Sequence, residues 1–114
     1  LLGRLDPKTG KQKEYPVLPF RKDRTVPLSN PYGIMADHKN KVWFGDQGLG
    51  GALIKFDPDT EKFSYYPLPR KTDNPNIDIT GKGAIVYTSR SSRQAAIGIF
   101  YPDVTQMTSY AVFR

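Results

Sequence analysis

A nine-residue stretch occurs twice in this chain of 114 residues, and the recurrence limits what the chain can fold into more than any other feature. Gly3-Arg4-Leu5-Asp6-Pro7-Lys8-Thr9-Gly10-Lys11 returns 51 residues on as Ile54-Lys55-Phe56-Asp57-Pro58-Asp59-Thr60-Glu61-Lys62. Each copy runs into an aromatic and a proline, Glu14-Tyr15-Pro16 and Tyr65-Tyr66-Pro67. A weaker third copy, Gly98-Ile99-Phe100-Tyr101-Pro102-Asp103-Val104-Thr105, follows at an offset of 44 and leads to Ser109-Tyr110-Ala111-Val112. Between the turns lies a second repeating piece, Val42-Trp43-Phe44-Gly45-Asp46, answered 43 residues later by Ile85-Val86-Tyr87-Thr88-Ser89. Two interleaved repeats in the same order describe one structural unit used several times.

The turn explains its own recurrence. An aspartate at its head (Asp6, Asp57) can accept a hydrogen bond from the backbone two residues on, the proline presets the next φ, and Gly10 supplies a left-handed position. Such a turn joins antiparallel strands. Around it the side chains alternate, Leu53 and Lys55 against Ile54 and Phe56, which is the period of a strand with two different faces. The 10 Gly, 10 Pro, 7 Tyr and 6 Phe fit the same reading, because these residues favour strands broken by turns.

Each unit reads as four strands. The first full unit has them near Tyr32 to Ala36, Lys41 to Gly45, Ala52 to Phe56 and Lys62 to Pro67. The next has Ile77 to Thr80, Ala84 to Thr88, Ala96 to Phe100 and Met107 to Val112. Leu1 to Leu5 and Gln12 to Val17 are the last two strands of a preceding unit. The fold class expected is therefore all-β: a β-propeller segment of about two and a half four-stranded antiparallel blades, divided as 1–19, 30–69 and 74–114. The longer first period fits a longer loop around Phe20 to Ser29. A ring has typically four to eight blades, and an isolated blade leaves flat faces and strand edges uncovered. The partners expected are accordingly further blades of the same polypeptide or additional copies of this chain. An opening Leu1 that reads as mid-strand suggests a polypeptide that begins upstream.

The chain has no cysteine, which excludes disulfide scaffolds and thiolate metal sites and leaves the redox compartment open. No apolar run approaches the ~20 residues of a membrane span. The net charge of +6 is spread along the chain, as on a mixed solvated surface. Trp43, Phe44, Phe56, Phe63, Tyr66, Tyr87 and Phe100 read as packing between blades and not as a stacking platform for bases, so nucleic acid is not an expected partner.

The combination of Pro31-Tyr32-Gly33-Ile34, the Val42-to-Asp46 strand, the Asp57-Pro58-Asp59-Thr60 turn and the Tyr66-Pro67-Leu68-Pro69 exit resembles the streptogramin lyase family of propellers, and the likeness covers essentially the whole chain. The resemblance implies a magnesium-assisted carbon-oxygen elimination that opens a cyclic depsipeptide at its ester, with a histidine as general base, in a secreted or periplasmic protein. The chain departs from that pattern in its only histidine, His38, which lies in the polar turn Asp37-His38-Lys39-Asn40-Lys41. There it reads as a solvated turn residue.

In a four-stranded up-and-down blade successive turns alternate between the two rims of the disc. His38 and the Asp-Pro turns share one rim. The connections after the second strand (Asp46 to Gly51, Ser89 to Ala95) and between blades (Phe20 to Ser29, Arg70 to Asn74) share the other, and ligand sites are built from clustered loops. That loop rim carries Arg21, Lys22, Arg24, Arg70, Lys71, Arg90 and Arg93 against Asp23, Asp46 and Asp73, a balance that suits plain solubility and also an anionic ligand or an acidic protein surface. Its densest polar cluster is Ser89-Arg90-Ser91-Ser92-Arg93-Gln94, where two guanidinium groups can hold a carboxylate or phosphate bidentately; of it, Arg90, Ser91, Ser92, Arg93 and Gln94 are the expected ligand contacts. Asp46, Gln47 and Tyr32 complete the expected ligand-binding set. Asp46 matches the acidic residue that closes the Trp-Phe strand in the resembled family and could reach magnesium through water, or simply cap the following turn. Gly48, Gly50 and Gly51 precede a strand, so no phosphate loop is implied.

Two functions stay open. One is a lyase-like propeller enzyme for which this segment supplies blades and part of the rim. The other is a non-catalytic binding or scaffolding propeller whose basic loop rim docks its partner, with binding that weakens as salt rises.

Overall fold

The computed structural model describes residues 1–20, 31–46, 51–69, 76–89, 95–102 and 108–112, and every regular element among them is a strand. β1 (Leu2–Leu5) and β2 (Gln12–Tyr15) pair as a two-stranded sheet. β3 (Pro31–Ala36), β4 (Val42–Asp46), β5 (Ala52–Asp57) and β6 (Lys62–Pro67) form a four-stranded sheet in that order. β7 (Ile77–Ile79), β8 (Ile85–Ser89), β9 (Ala96–Phe100) and β10 (Thr108–Val112) repeat it. All pairings are antiparallel between chain neighbours, so the two four-stranded sheets have the up-and-down order of propeller blades. Their first strands, β3 and β7, lie beside each other, as inner strands around a common axis do.

Turn chemistry sets the strand ends. Asp6 Oδ1 accepts the Lys8 amide at 2.9 Å, and Asp57 Oδ1 accepts that of Asp59 at 2.9 Å. The turns close through Gly10 N to Asp6 O at 2.8 Å and Glu61 N to Asp57 O at 2.7 Å. Gly10 has φ 73°, as the turn requires, and Glu61 occupies the corresponding place with φ 57°. A side chain in this region is uncommon and costs energy that glycine avoids. The β3–β4 and β7–β8 turns form a second matched pair, with Asn40 at φ 59° and Gly83 at φ 85°. Asp37 heads the first and Thr80 the second; Thr80 Oγ1 accepts the Ala84 amide at 3.1 Å, so β7 stops at Ile79. β2 stops at Tyr15 because Pro16 has no N–H to offer the ladder, although Val17 beyond it is fully buried.

Alternation along the middle sheet divides the core in two. One face carries Phe44, Ile54 and Phe56, which pack with Leu2, Tyr15 and Val17 of the first sheet, flanked by Val42, Phe63 and Tyr65. The opposite face carries Trp43 and Leu53, which pack with Ile85, Tyr87 and Phe100 of the third sheet, flanked by Tyr66 and Leu68. Tyr15 meets Phe56 with ring centroids 4.8 Å apart, and Trp43, Tyr66 and Phe100 form a triangle of tilted rings at 5.1–5.8 Å. The aromatic residues expected between blades sit there. Fully burying one such side chain contributes about 1.5–3 kcal/mol, so each inter-sheet cluster is a substantial source of stability. The third sheet's Tyr87 packs over Gly98, its cross-strand partner, where a Cβ would overlap the phenol ring.

The outward face of the third sheet repeats the pattern of the second, and no described strand packs on it. Ile97 there is 44% exposed and stands where the buried Leu53 stands in the middle sheet. On the inner strand β3, Ile34 and Met35 are exposed as well.

Candidate functional site

The loop rim begins where β4 and β8 end. Asp46 closes β4 opposite Pro31, and Ser89 closes β8 opposite Ala96. They occupy corresponding places in their sheets, and among the described residues they are the two buried polar side chains, Asp46 at 0% and Ser89 at 5% exposure. Burying a polar group is costly unless it is hydrogen-bonded, and both make interactions in the fold. Asp46 also acts on a neighbour. Burial pushes the Tyr65 phenol above its ordinary pKa, and the negative charge of Asp46 adds to the effect. The Tyr65 hydroxyl in turn donates to the Leu18 carbonyl at 2.7 Å, tying the outer strand of the middle sheet to the segment after β2.

Of the expected ligand-binding residues, Asp46 is thus enclosed by protein and acts on its surroundings as a buried charge. Tyr32 is 62% exposed on β3, the inner strand. Gln47 and the cluster Arg90, Ser91, Ser92, Arg93 and Gln94 lie outside the described residues, as do Arg21, Lys22, Asp23, Arg24, Arg70, Lys71 and Asp73. The burial of Ser89 is invisible in the sequence, although the 43-residue repeat already makes it the counterpart of Asp46.

The other rim is described in full detail around the β3–β4 turn. Asp37 Oδ1 accepts the amides of Lys39 and Lys41, both at 2.9 Å, and Oδ2 accepts the Trp43 indole N–H at 2.8 Å. Partial burial works to raise the Asp37 pKa, but the donors from Trp43, Lys41 and Lys39 outweigh it and hold the carboxyl below its usual range. His38 is exposed in this turn. It stands beyond the far end of β4 from Asp46, a separation of at least the strand's length, about 13 Å, so the two cannot act on one reacting centre.

Among the described residues no three histidine, cysteine, aspartate or glutamate side chains gather into a metal site. Magnesium takes octahedral oxygen coordination and keeps several waters, and one enclosed carboxylate does not provide that. The described residues do not fit a magnesium ion.

These blades and rims define the chain as a β-propeller segment. Solved propellers that it is similar to include virginiamycin B lyase. The catalytically inactive histidine-to-alanine variant of that enzyme from Staphylococcus aureus, solved with quinupristin, superposes with a TM-score of 0.71 at 25% identity, over 95% of this chain and 32% of the other. The selenomethionine-substituted enzyme from the same organism gives a TM-score of 0.62 at 22% identity, over 75% of this chain and 27% of the other. The chain thus spans about a third of the length of the solved propellers it matches. No protein-family model and no curated protein matches the sequence.

Proposed function

We propose that this chain supplies blades to a streptogramin lyase-like propeller whose ligand site is the loop rim, and that the activity of the whole protein is carbon-oxygen elimination opening a cyclic ester. The observation that carries the proposal is the matched pair Asp46 and Ser89, buried polar residues at the ends of corresponding strands, where the rim loops begin. The likeness to a lyase solved with quinupristin supports the choice of substrate class. In this reading the segment's role is positional: Asp46 and Ser89 fix loop entry, and 90–94 offer guanidinium and hydroxyl groups to the ligand.

A second reading is favoured by the placement of His38 on the rim opposite Asp46. In it the same rim docks an anionic ligand or acidic protein without reaction. Incubating the full-length protein with quinupristin and magnesium, and following the ester by mass spectrometry, separates the two. Hydrolysis leaves the alcohol with added water, whereas elimination leaves an alkene and a carboxylic acid with no change in mass, so fragmentation is needed. Ring opening that is lost in Asp46→Asn supports the lyase. Salt-sensitive binding of an acidic partner with the ester intact supports the scaffold.

A further inference from the structure

A groove of about 200 Å³ lies on the turn rim between the second and third sheets, away from the loop rim. Four ammonium-bearing side chains line it: Lys39 and Lys41 from the β3–β4 turn, Lys55 from β5 and Lys82 from the β7–β8 turn. Asp37 is the carboxylate that lines it with them, and both of its oxygens are engaged by the three donors of its own turn and of Trp43. Lys41 is neutralised by Asp57 at 2.9 Å. Lys55 and Lys82 are not; among the described residues neither forms an ion pair. Lys55 is instead held over two rings, 5.7 Å from the Trp43 centroid and 5.5 Å from that of Tyr66, so its charge is placed with little rotamer freedom left to lose. The indole of Trp43 and the ring of Pro102 add an apolar wall.

Gathering like charges in one groove opposes folding, and a ligand of opposite sign reverses that cost. We propose that this groove binds a phosphate-class anion, with Lys55 and Lys82, one from each sheet, as its principal contacts. Lysine serves as a point charge for phosphate, and the groove has room beside the charges for the carbon of a monoester. Because the two lysines belong to different sheets, the bound anion would also bridge them.

Calorimetric titration of the full chain at low ionic strength tests this, with inorganic pyrophosphate in one arm and phenyl phosphate in the other. Saturable one-to-one binding in either arm is expected, and the tighter arm tells free anion from ester. Lys55→Met with Lys82→Gln should weaken it by about tenfold or more, since two charge-assisted bonds are lost. Lys8→Gln with Lys62→Gln, which removes the same charge elsewhere, should change it less than about twofold, as screened distant charges do. Lys82→Glu alone, in an exposed turn, gives the same reading should Lys55→Met disturb packing. No saturable binding in either arm, or equal weakening by the control pair, would overturn the proposal.

Discussion

The indole N–H of Trp43 donates to Asp37 Oδ2 at 2.8 Å, so the residue that fills the interface between the second and third sheets also locks the turn preceding its own strand. Packing and turn geometry are coupled through that single bond. Asp37→Ala strands the indole donor and frees the amides of Lys39 and Lys41, and should lower stability by about 1–3 kcal/mol. Asp37→Asn, which keeps an acceptor, should lose less. Urea unfolding of both variants measures the order, and equal losses would show that the carboxylate's geometry is irrelevant.

The Asp37 carboxyl titrates below its ordinary value in the fold, so its contribution is fully present above the unfolded pKa and is lost as pH falls through the folded one. Acidification below about pH 4 should therefore weaken the Trp43 contact before the sheets unfold. The indole N–H proton resonance is expected to shift in that window in the native chain and to stay still in Asp37→Asn.

Glu61 has the left-handed backbone that Gly10 has in the first turn, and it compensates by reaching the neighbouring sheet: its oxygens accept from Lys13 Nζ at 2.8 and 2.9 Å and from the Tyr15 hydroxyl at 2.9 Å. The Lys13 bond and then the Tyr15 bond hold its pKa below the usual carboxylate range. The link is thus present above that range and fades as pH falls through it. Glu61→Gly should be more stable than Glu61→Ala, because the strain an alanine bears at this φ outweighs the extra freedom glycine gives the unfolded chain. Glu61→Gln should be weaker than the native chain at neutral pH and converge with it in acid, as thermal melts across pH will show.

Gly98→Ala places a methyl group against the Tyr87 ring, which is buried and has little room to move. Overpacking of this kind costs about 1–3 kcal/mol. Adding Tyr87→Leu should recover part of the loss, and Tyr87→Phe should recover none, since the ring and not the hydroxyl alone is in the way. A double-mutant cycle by chemical denaturation gives the coupling.

The strand order was legible because turn chemistry repeats: Asp6, Asp57 and the Val42-to-Asp46 strand with its answer at Ile85-to-Ser89 place ten strands within a residue or two of those observed, and the alternation of Leu53 and Lys55 with Ile54 and Phe56 marks a strand with two different faces. Glu61 was not legible, since nothing in a glutamate announces a positive φ. Nor was the basic groove, whose Lys55 and Lys82 come together only when two sheets pack. The rim expected to bind ligand was read from Asp46, Gln47, Tyr32 and 90–94; of these the described residues reveal the enclosure of Asp46 and the exposure of Tyr32. The magnesium and histidine expected from resemblance rest on side-chain convergence, which a repeat of strand-forming residues does not encode.

The middle sheet is covered on both faces, whereas the first and third sheets are each covered on one. In an array whose units touch only their neighbours, local stability follows the number of filled contacts. Amide protons of β4 and β5 should therefore exchange with deuterium most slowly, with a gradient toward β1 and β9. Covering Ile97 would slow exchange in β8 and β9 first, so the protection pattern reports which face has gained a neighbour.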